Sequence, residues 1–176
     1  MLPADFKPDN STVYILRGLP GSGKTHLVNN YIKPALESCY VLSADTIMRE
    51  WFGRFRPEKL PEVHAECMKR FIHYIHDKSI QNNNVSIIVD NTNIDSWEWR
   101  NYALIADYAG WPVVMLNLVV RTLAAATKCL QRNRTIDGHP FPADTFSRML
   151  IRYGETDDRT ALQAQCIKKV ITIDVQ

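Results

Sequence analysis

Short runs of contiguous apolar residues alternate along this chain with longer stretches whose apolar positions recur every three or four residues. Val13-Tyr-Ile-Leu16, Tyr40-Val-Leu-Ser43, Val85–Asp90 and Val113–Val120 are runs of the first kind, and they predict short strands. In the third of them Ile87, Ile88 and Val89 are contiguous, as expected of a strand covered on both faces. Between the strands the spacing predicts helices over Lys24–Ile32, stopped near Pro34, and over Thr46–Trp51. A longer one covers Pro61–Gln81, with Val63, Cys67, Phe71, Ile72, Ile75 and Ile80 on its apolar stripe, and three asparagines at 82–84 end it in a turn. Ser96 suits the cap of a helix running to about Ala109, with Gly110 and Pro112 as its stop. Leu123–Arg132 and a segment reaching Tyr153 read as two more helices, and Val170–Val175 as a last strand. Strands alternating with helices predict an α/β fold, a central parallel sheet of four or five strands between two helical layers, with ligands at the carboxyl ends of the strands.

The 176 residues fit one unit, with a core at about 12–154, a short arm at 1–11 and a C-terminal segment at 155–176. Hydrophobic residues make up 45% and charged residues 23%, which excludes a disordered, collagenous or coiled-coil chain. A net charge of +2 is too small for the whole surface to attract a polyanion, so affinity for nucleic acid would need a local cluster. Cys39, Cys67, Cys129 and Cys166 are too far apart for a zinc or redox pair, and scattered thiols fit a reducing compartment. The first ten residues carry Asp5, Asp9 and two prolines and do not resemble a secretion signal, and Asn117 interrupts the longest apolar run. A cytoplasmic protein without a membrane span is the expectation.

The strongest chemical signal is Gly18-Leu-Pro-Gly-Ser-Gly-Lys24-Thr25, a full G-x-x-x-x-G-K-[ST] match between a strand and a helix. Glycines at 18, 21 and 23 let the backbone of the loop, which also holds Pro20, curl so that N–H groups such as those of Gly21, Ser22, Gly23 and Lys24 can surround phosphate oxygens. The helix that begins there adds the positive end of its dipole. Lys24 supplies a point charge for the β- and γ-phosphates, and the Thr25 hydroxyl is a ligand for Mg²⁺. The expected donor is ATP or another nucleoside triphosphate such as GTP, on a P-loop NTPase fold.

Two acids lie where such a fold could use them. Asp45, just beyond the second strand, can take the proton of an attacking hydroxyl or cap the helix that follows, a role Ser43 could also fill. Asp90 ends the run Ile87-Ile-Val, where an acid sits near Mg²⁺, or it caps the next helix. A basic cluster follows: Arg121, Lys128, Arg132 and Arg134 fall within fourteen acid-free residues, a local charge of +4. The loop after it, Thr135-Ile-Asp-Gly-His-Pro140, has the composition of a lid, from which Arg132 or Arg134 could reach a γ-phosphate; a solvated helix face is the other reading.

Together these residues resemble the phage-type 5′-hydroxyl polynucleotide kinases and their P-loop relatives, over about Val13 to Tyr153. The resemblance rests on Gly18–Thr25, Ser43-Ala-Asp45, Val89-Asp-Asn-Thr-Asn93, and the stretch from Gln131-Arg-Asn133 through Pro142 to Arg148-Met149. It implies transfer of a γ-phosphate to the 5′-OH of single-stranded RNA or DNA. Lys24 and Thr25 would hold donor and metal, Asp45 would be the base, and Arg132 would belong to a helical lid. Asp90, with Asn91 and Asn93 beside it, would order the acceptor side. Two positions depart from the family pattern. Ile136 stands where the lid has a second arginine, Arg134 being the nearest. Met48 stands where an arginine meets the acceptor phosphate, with Arg49 one step on, about 100° further round a helix. The D-x-D-G-T segment of a 3′-phosphatase does not occur, so the expectation is a kinase without that partner activity.

Two other readings remain open at this point. One is a kinase of a small hydroxylated metabolite, nucleotide sugar or antibiotic, similar to the zeta toxins; the other is a nucleotide-binding module without acceptor chemistry. Arg49–Lys59 interleaves Trp51, Phe52 and Phe55 with arginines, which suits either stacked bases or an ordinary half-buried connection. Trp97 and Trp99, two apart on a helix, must face different sides, so at least one belongs to the core.

Overall fold

The computed structural model describes residues 6–77, 79–80, 83–132, 141–155 and 164–175. Every strand that the apolar runs predict is present: β1 (Val13–Arg17), β2 (Ser38–Leu42), β3 (Val85–Val89), β4 (Val113–Val119) and β5 (Lys169–Asp174). They form one parallel sheet in the order β2-β3-β1-β4-β5. Parallel neighbours require crossovers, and the connecting helices cover the sheet on both sides. Side chains of β1 alternate between two cores. Val13 and Ile15 face Phe71, Trp99 and Tyr102, which come from α3 (Leu60–His76) and α4 (Ser96–Tyr108). Tyr14 and Leu16 face Leu27, Val28 and Ile32 on the other side. β1, β3 and β4 are buried throughout, which is why their sequences read as unbroken apolar runs.

Position in the sheet is what matters for function. Because β3 pairs with β1, the turn after Val89 lies beside the loop after Arg17; Gly18 N–H donates to the Thr92 carbonyl at 2.9 Å. A third cluster closes this end of the sheet. Leu19 and Ile94 meet Ala126 and Cys129 of α5 (Leu123–Arg132) and Phe146 and Tyr153 of α6 (Ala143–Glu155). Arg17, only 1% exposed, is among the largest fully buried side chains. Its guanidinium donates to the Ile94 carbonyl at 3.2 Å and to Asn117 Oδ1 at 3.0 Å, and it lies 4.5 Å over the Tyr153 ring. The polar interruption at Asn117 thus serves a buried cation.

Local differences from the sequence reading have identifiable causes. The helix predicted over Lys24–Ile32 is α-helical only at α1 (Lys24–Leu27), then widens to a π-helix at Val28–Ile32 and tightens to 3₁₀ at Lys33–Ala35. Pro34 has no N–H with which to continue an α-helical ladder. α3 ends at His76 rather than near residue 81, because the Asp77 carboxylate takes the Ser79 N–H at 2.8 Å and its hydroxyl at 2.6 Å. On α3 Val63, Cys67, Phe71 and Ile75 are buried as expected, whereas Ile72 is 40% exposed. Asp95, not Ser96, is the N-cap residue of α4; Glu98 reaches back instead, accepting the Ile94 N–H at 2.7 Å. Trp99 is core and Trp97 is solvent-facing, as their spacing required. The loop at 133–140, with Arg134, lies outside the described residues, as do residues 156–163.

Packing of β3 gives a modest stability test. Ile87 is fully buried between β1 and β2, so Ile87→Val should cost about 0.5–1.5 kcal/mol in urea unfolding with an unchanged denaturant slope.

Candidate active site

The phosphate loop follows from its glycines. Gly21 (φ 74°) and Gly23 (φ 97°) both lie in the left-handed region, and between them the chain turns from β1 into α1. At Gly21 a second constraint applies: an added Cβ would lie 2.0 Å from the main-chain oxygen of Cys129 in α5. The last turns of α5 therefore rest directly on the loop. Ser22 Oγ is buried and has no hydrogen-bond partner among the described residues.

Lys24 is folded back into this loop. Its ammonium donates to the carbonyls of Gly18 and Leu19, each at 2.9 Å. Burial pushes its pKa down to about 8, while the charges of Asp90 and Asp45 act in the opposite direction. Carbonyl dipoles compensate a buried ammonium only in part, and phosphate oxygens would complete its surroundings.

Thr25 and Asp90, 65 positions apart in sequence, are joined directly: Thr25 Oγ1 donates to Asp90 Oδ2 at 2.7 Å. Asp90 is 8% exposed, and burial raises its pKa, opposed by the Thr25 bond and the Lys24 charge. The N-cap residue of the next helix is Asp95, not Asp90, and the other Asp90 oxygen, Oδ1, is buried without a partner among the described residues. A hydroxyl and a carboxylate with a spare buried oxygen are hard oxygen donors of the kind Mg²⁺ takes, so these residues fit the ion.

Asp45 is the second residue of α2 (Ala44–Phe52), not its cap. Ser43 holds the N-cap position with extended backbone but makes no capping bond through its side chain. Asp45 is exposed, and its charge acts on both Lys24 and Asp90. The register of α2 also separates the two residues that follow it. Met48 is 1% exposed in a core with Ile47, Val63 and Cys67, whereas Arg49 is exposed and one turn beyond Asp45, its Nε donating to the Asp45 carbonyl at 3.2 Å.

Asn91 and Asn93 are buried at 8% and 2% exposure, and both spend their amides on neighbouring backbone. Asn91 Oδ1 accepts the Ala44 N–H at 2.8 Å, and Asn93 Nδ2 donates to the Leu16 carbonyl at 2.6 Å. Asn93 adopts φ 47°, a left-handed conformation that asparagine tolerates well. Arg132 is exposed at the end of α5. At the end of α2 and just after it, Trp51 (45%) and Phe55 (37%) are exposed, while Arg56 and Lys59 lie over the Phe52 ring. Sequence reasoning missed Arg17 and its partner Tyr153, whose hydroxyl donates toward Asn117 Oδ1 at 3.1 Å or the Leu118 carbonyl at 3.0 Å. A charged residue closing an apolar strand was the available sign. Among the described residues no helix is long and apolar enough to cross a membrane.

Solved structures with this fold include the tunicamycin resistance protein of Deinococcus radiodurans, 17% identical, covering 95% of this chain and 86% of that one with a TM-score of 0.53. A gluconokinase from Sinorhizobium meliloti 1021 is 12% identical, over 95% and 84% of the two chains, with a TM-score of 0.55. Chaetomium thermophilum Kti12, solved in complex with ADP-AlF3, is 16% identical over 92% and 88%, with a TM-score of 0.60. At these identities the likeness is one of fold, that of the P-loop NTPases. The sequence pattern of the AAA domain family matches residues 13–156, from the start of β1 through α6. A match over that much of the chain, carried on the sheet and phosphate loop that the pattern spans, makes this protein a member of the AAA domain family.

Proposed function

We propose that the protein is a polynucleotide 5′-hydroxyl kinase, moving the γ-phosphate of ATP or another nucleoside triphosphate to the 5′-OH of RNA or DNA. The observation that supports this most is that Asp45 and Arg49 lie one turn apart on the exposed side of α2, the Arg49 guanidinium donating to the Asp45 main-chain carbonyl, with the charge of Asp45 acting on Lys24. An alcohol acceptor needs a base; an alcohol one nucleotide from a phosphodiester also benefits from a cation beside that base. Met48 stands where the phage-type pattern has its arginine, but it faces the core, and Arg49 takes the solvent-facing place one turn from the base.

In this reading the loop amides and Lys24 bind and orient the β- and γ-phosphates. Thr25 and the spare oxygen of Asp90 would hold Mg²⁺, which when bound neutralises charge on those phosphates. Asp45 takes the proton as the 5′-oxygen forms its bond to the γ-phosphorus. The bond from that phosphorus to the β-bridging oxygen breaks in line, and ADP departs with the electron pair. Arg132 and Arg134 would stabilise the transferring group from the lid. Asn91 and Asn93 would act on the acceptor side by holding backbone in place, not by touching the acceptor.

The reading is tested with ATP labelled at the γ-phosphate and 5′-OH RNA and DNA oligonucleotides side by side, together with gluconate and other small polyols. Label should appear at the 5′ end of an oligonucleotide. Turnover of a polyol with none on either nucleic acid would replace the polynucleotide by a small acceptor; label on no alcohol at all would leave only nucleotide binding.

A further inference from the structure

The first backbone N–H of α2 has a partner from far away in sequence. Ser43 makes no side-chain capping bond, and the Ala44 N–H donates to Asn91 Oδ1 at 2.8 Å in a buried setting. One residue before Asn91 and two before Ala44, the Asp90 N–H donates to the Leu42 carbonyl at 2.8 Å. Burial pushes up the pKa of the Cys67 thiol of α3, and the Asn91 side chain acts on it in the opposite direction. At its other end α2 is held on the same helix, where Arg70 Nη1 donates to Glu50 at 3.1 Å. The residue next to Ala44 is Asp45, and the residue before Asn91 is Asp90. The Asn91 amide thus ties the first turn of α2, which carries the candidate base, to the strand end that carries the acid bonded to Thr25.

We infer that Asn91 is the positioning residue for Asp45, fixing the first turn of α2 so that the carboxylate stands at a set place relative to Lys24 and Asp90. This rests on the reading of Asp45 as the base. An ordinary helix cap would affect stability alone, by about 0.5–2 kcal/mol, and leave turnover by the folded protein unchanged. A positioning role instead predicts a loss in the catalytic step, because small misplacements of a reacting group are costly in rate.

The experiment compares wild type, Asn91→Ala and Asn91→Asp, at a temperature where all are folded, with saturating ATP and oligonucleotide. Asn91→Ala should lower kcat about tenfold while KM for ATP stays within about twofold. Asn91→Asp keeps the accepting oxygen and should restore most of that loss. By NMR, amide exchange at Ala44 should accelerate about tenfold in Asn91→Ala and not in Asn91→Asp. In an Asp45→Asn background Asn91→Ala should add nothing further. Unchanged kcat in Asn91→Ala, or an equal loss of ATP affinity, would overturn the positioning role, and unchanged exchange at Ala44 would overturn the tie. Failure of the wild type to label any oligonucleotide counts against the proposed acceptor instead; the exchange comparison, together with kcat on whatever acceptor is labelled, then judges Asn91.

Discussion

Asp45→Asn lowers phosphoryl transfer by about 10²–10⁴-fold, the usual contribution of a positioned base, while ATP affinity stays within about twofold. The asparagine has nearly the same shape and remains on the exposed first turn of α2, so neither fold nor loop changes. What goes is the ability to accept a proton, together with one negative charge near Lys24 and Asp90. Removing that charge acts on binding in a definite direction. It withdraws a group that repels triphosphate, so ATP affinity should hold or rise slightly as kcat collapses. The measurement is a set of single-turnover rates with labelled ATP and excess 5′-OH oligonucleotide, alongside equilibrium titration of ATP. Transfer surviving at more than about a tenth of the wild-type rate would remove Asp45 from the base role.

The sequence exposed the phosphate loop and the buried strands because each is a local pattern. Glycine spacing needs only the turn it makes, and a strand covered on both faces is apolar whatever covers it. The order of the strands was not available in the same way, since it depends on which apolar faces meet. Yet that order sets β3 beside β1 and so brings Thr25 to Asp90. Asp45 was legible as a candidate but not as base rather than cap, because one residue of helix register separates the two roles. The structure starts α2 at Ala44 and places Asp45 inside it.

Polar groups turned inward were the hardest to read. Asn91 and Asn93 follow a buried strand, and buried amides must find partners, so an inward role was implicit in their position. Their partners, Ala44 and Leu16, are 47 and 77 residues away, and no local pattern could name them. Arg17 is the same case with a charge, its partners Ile94 and Asn117 lying 77 and 100 residues along the chain.

Gly21→Ala is expected to do more damage than any other glycine replacement in the loop, and the comparison with Gly23→Ala isolates the reason. Both positions have positive φ, for which an alanine costs roughly 1–2 kcal/mol. Around Gly23 an added Cβ meets nothing within 4 Å, so in the nucleotide-free protein that conformational cost is the whole effect. At Gly21 the same atom would lie 2.0 Å from the Cys129 oxygen, 2.8 Å from its carbonyl carbon and 3.2 Å from its Cα. These are main-chain atoms of α5, with no rotamer through which to yield. The loop and the helix must separate, adding about 1–3 kcal/mol of overpacking strain. Urea unfolding without nucleotide should therefore rank the variants wild type, Gly23→Ala, Gly21→Ala, with a gap of about 1–3 kcal/mol between the last two. Trimming the side chain at Cys129→Ala should not rescue Gly21→Ala, because the obstruction is a carbonyl that every residue carries. A loop pushed off α5 also turns its amides away from the phosphates, so ATP affinity should fall by about a hundredfold or more, as it does when several charge-assisted hydrogen bonds are lost together. Equal stability of the two variants would mean that α5 does not rest on the loop in solution, and the close packing of Gly21 against Cys129 would no longer account for the glycine there.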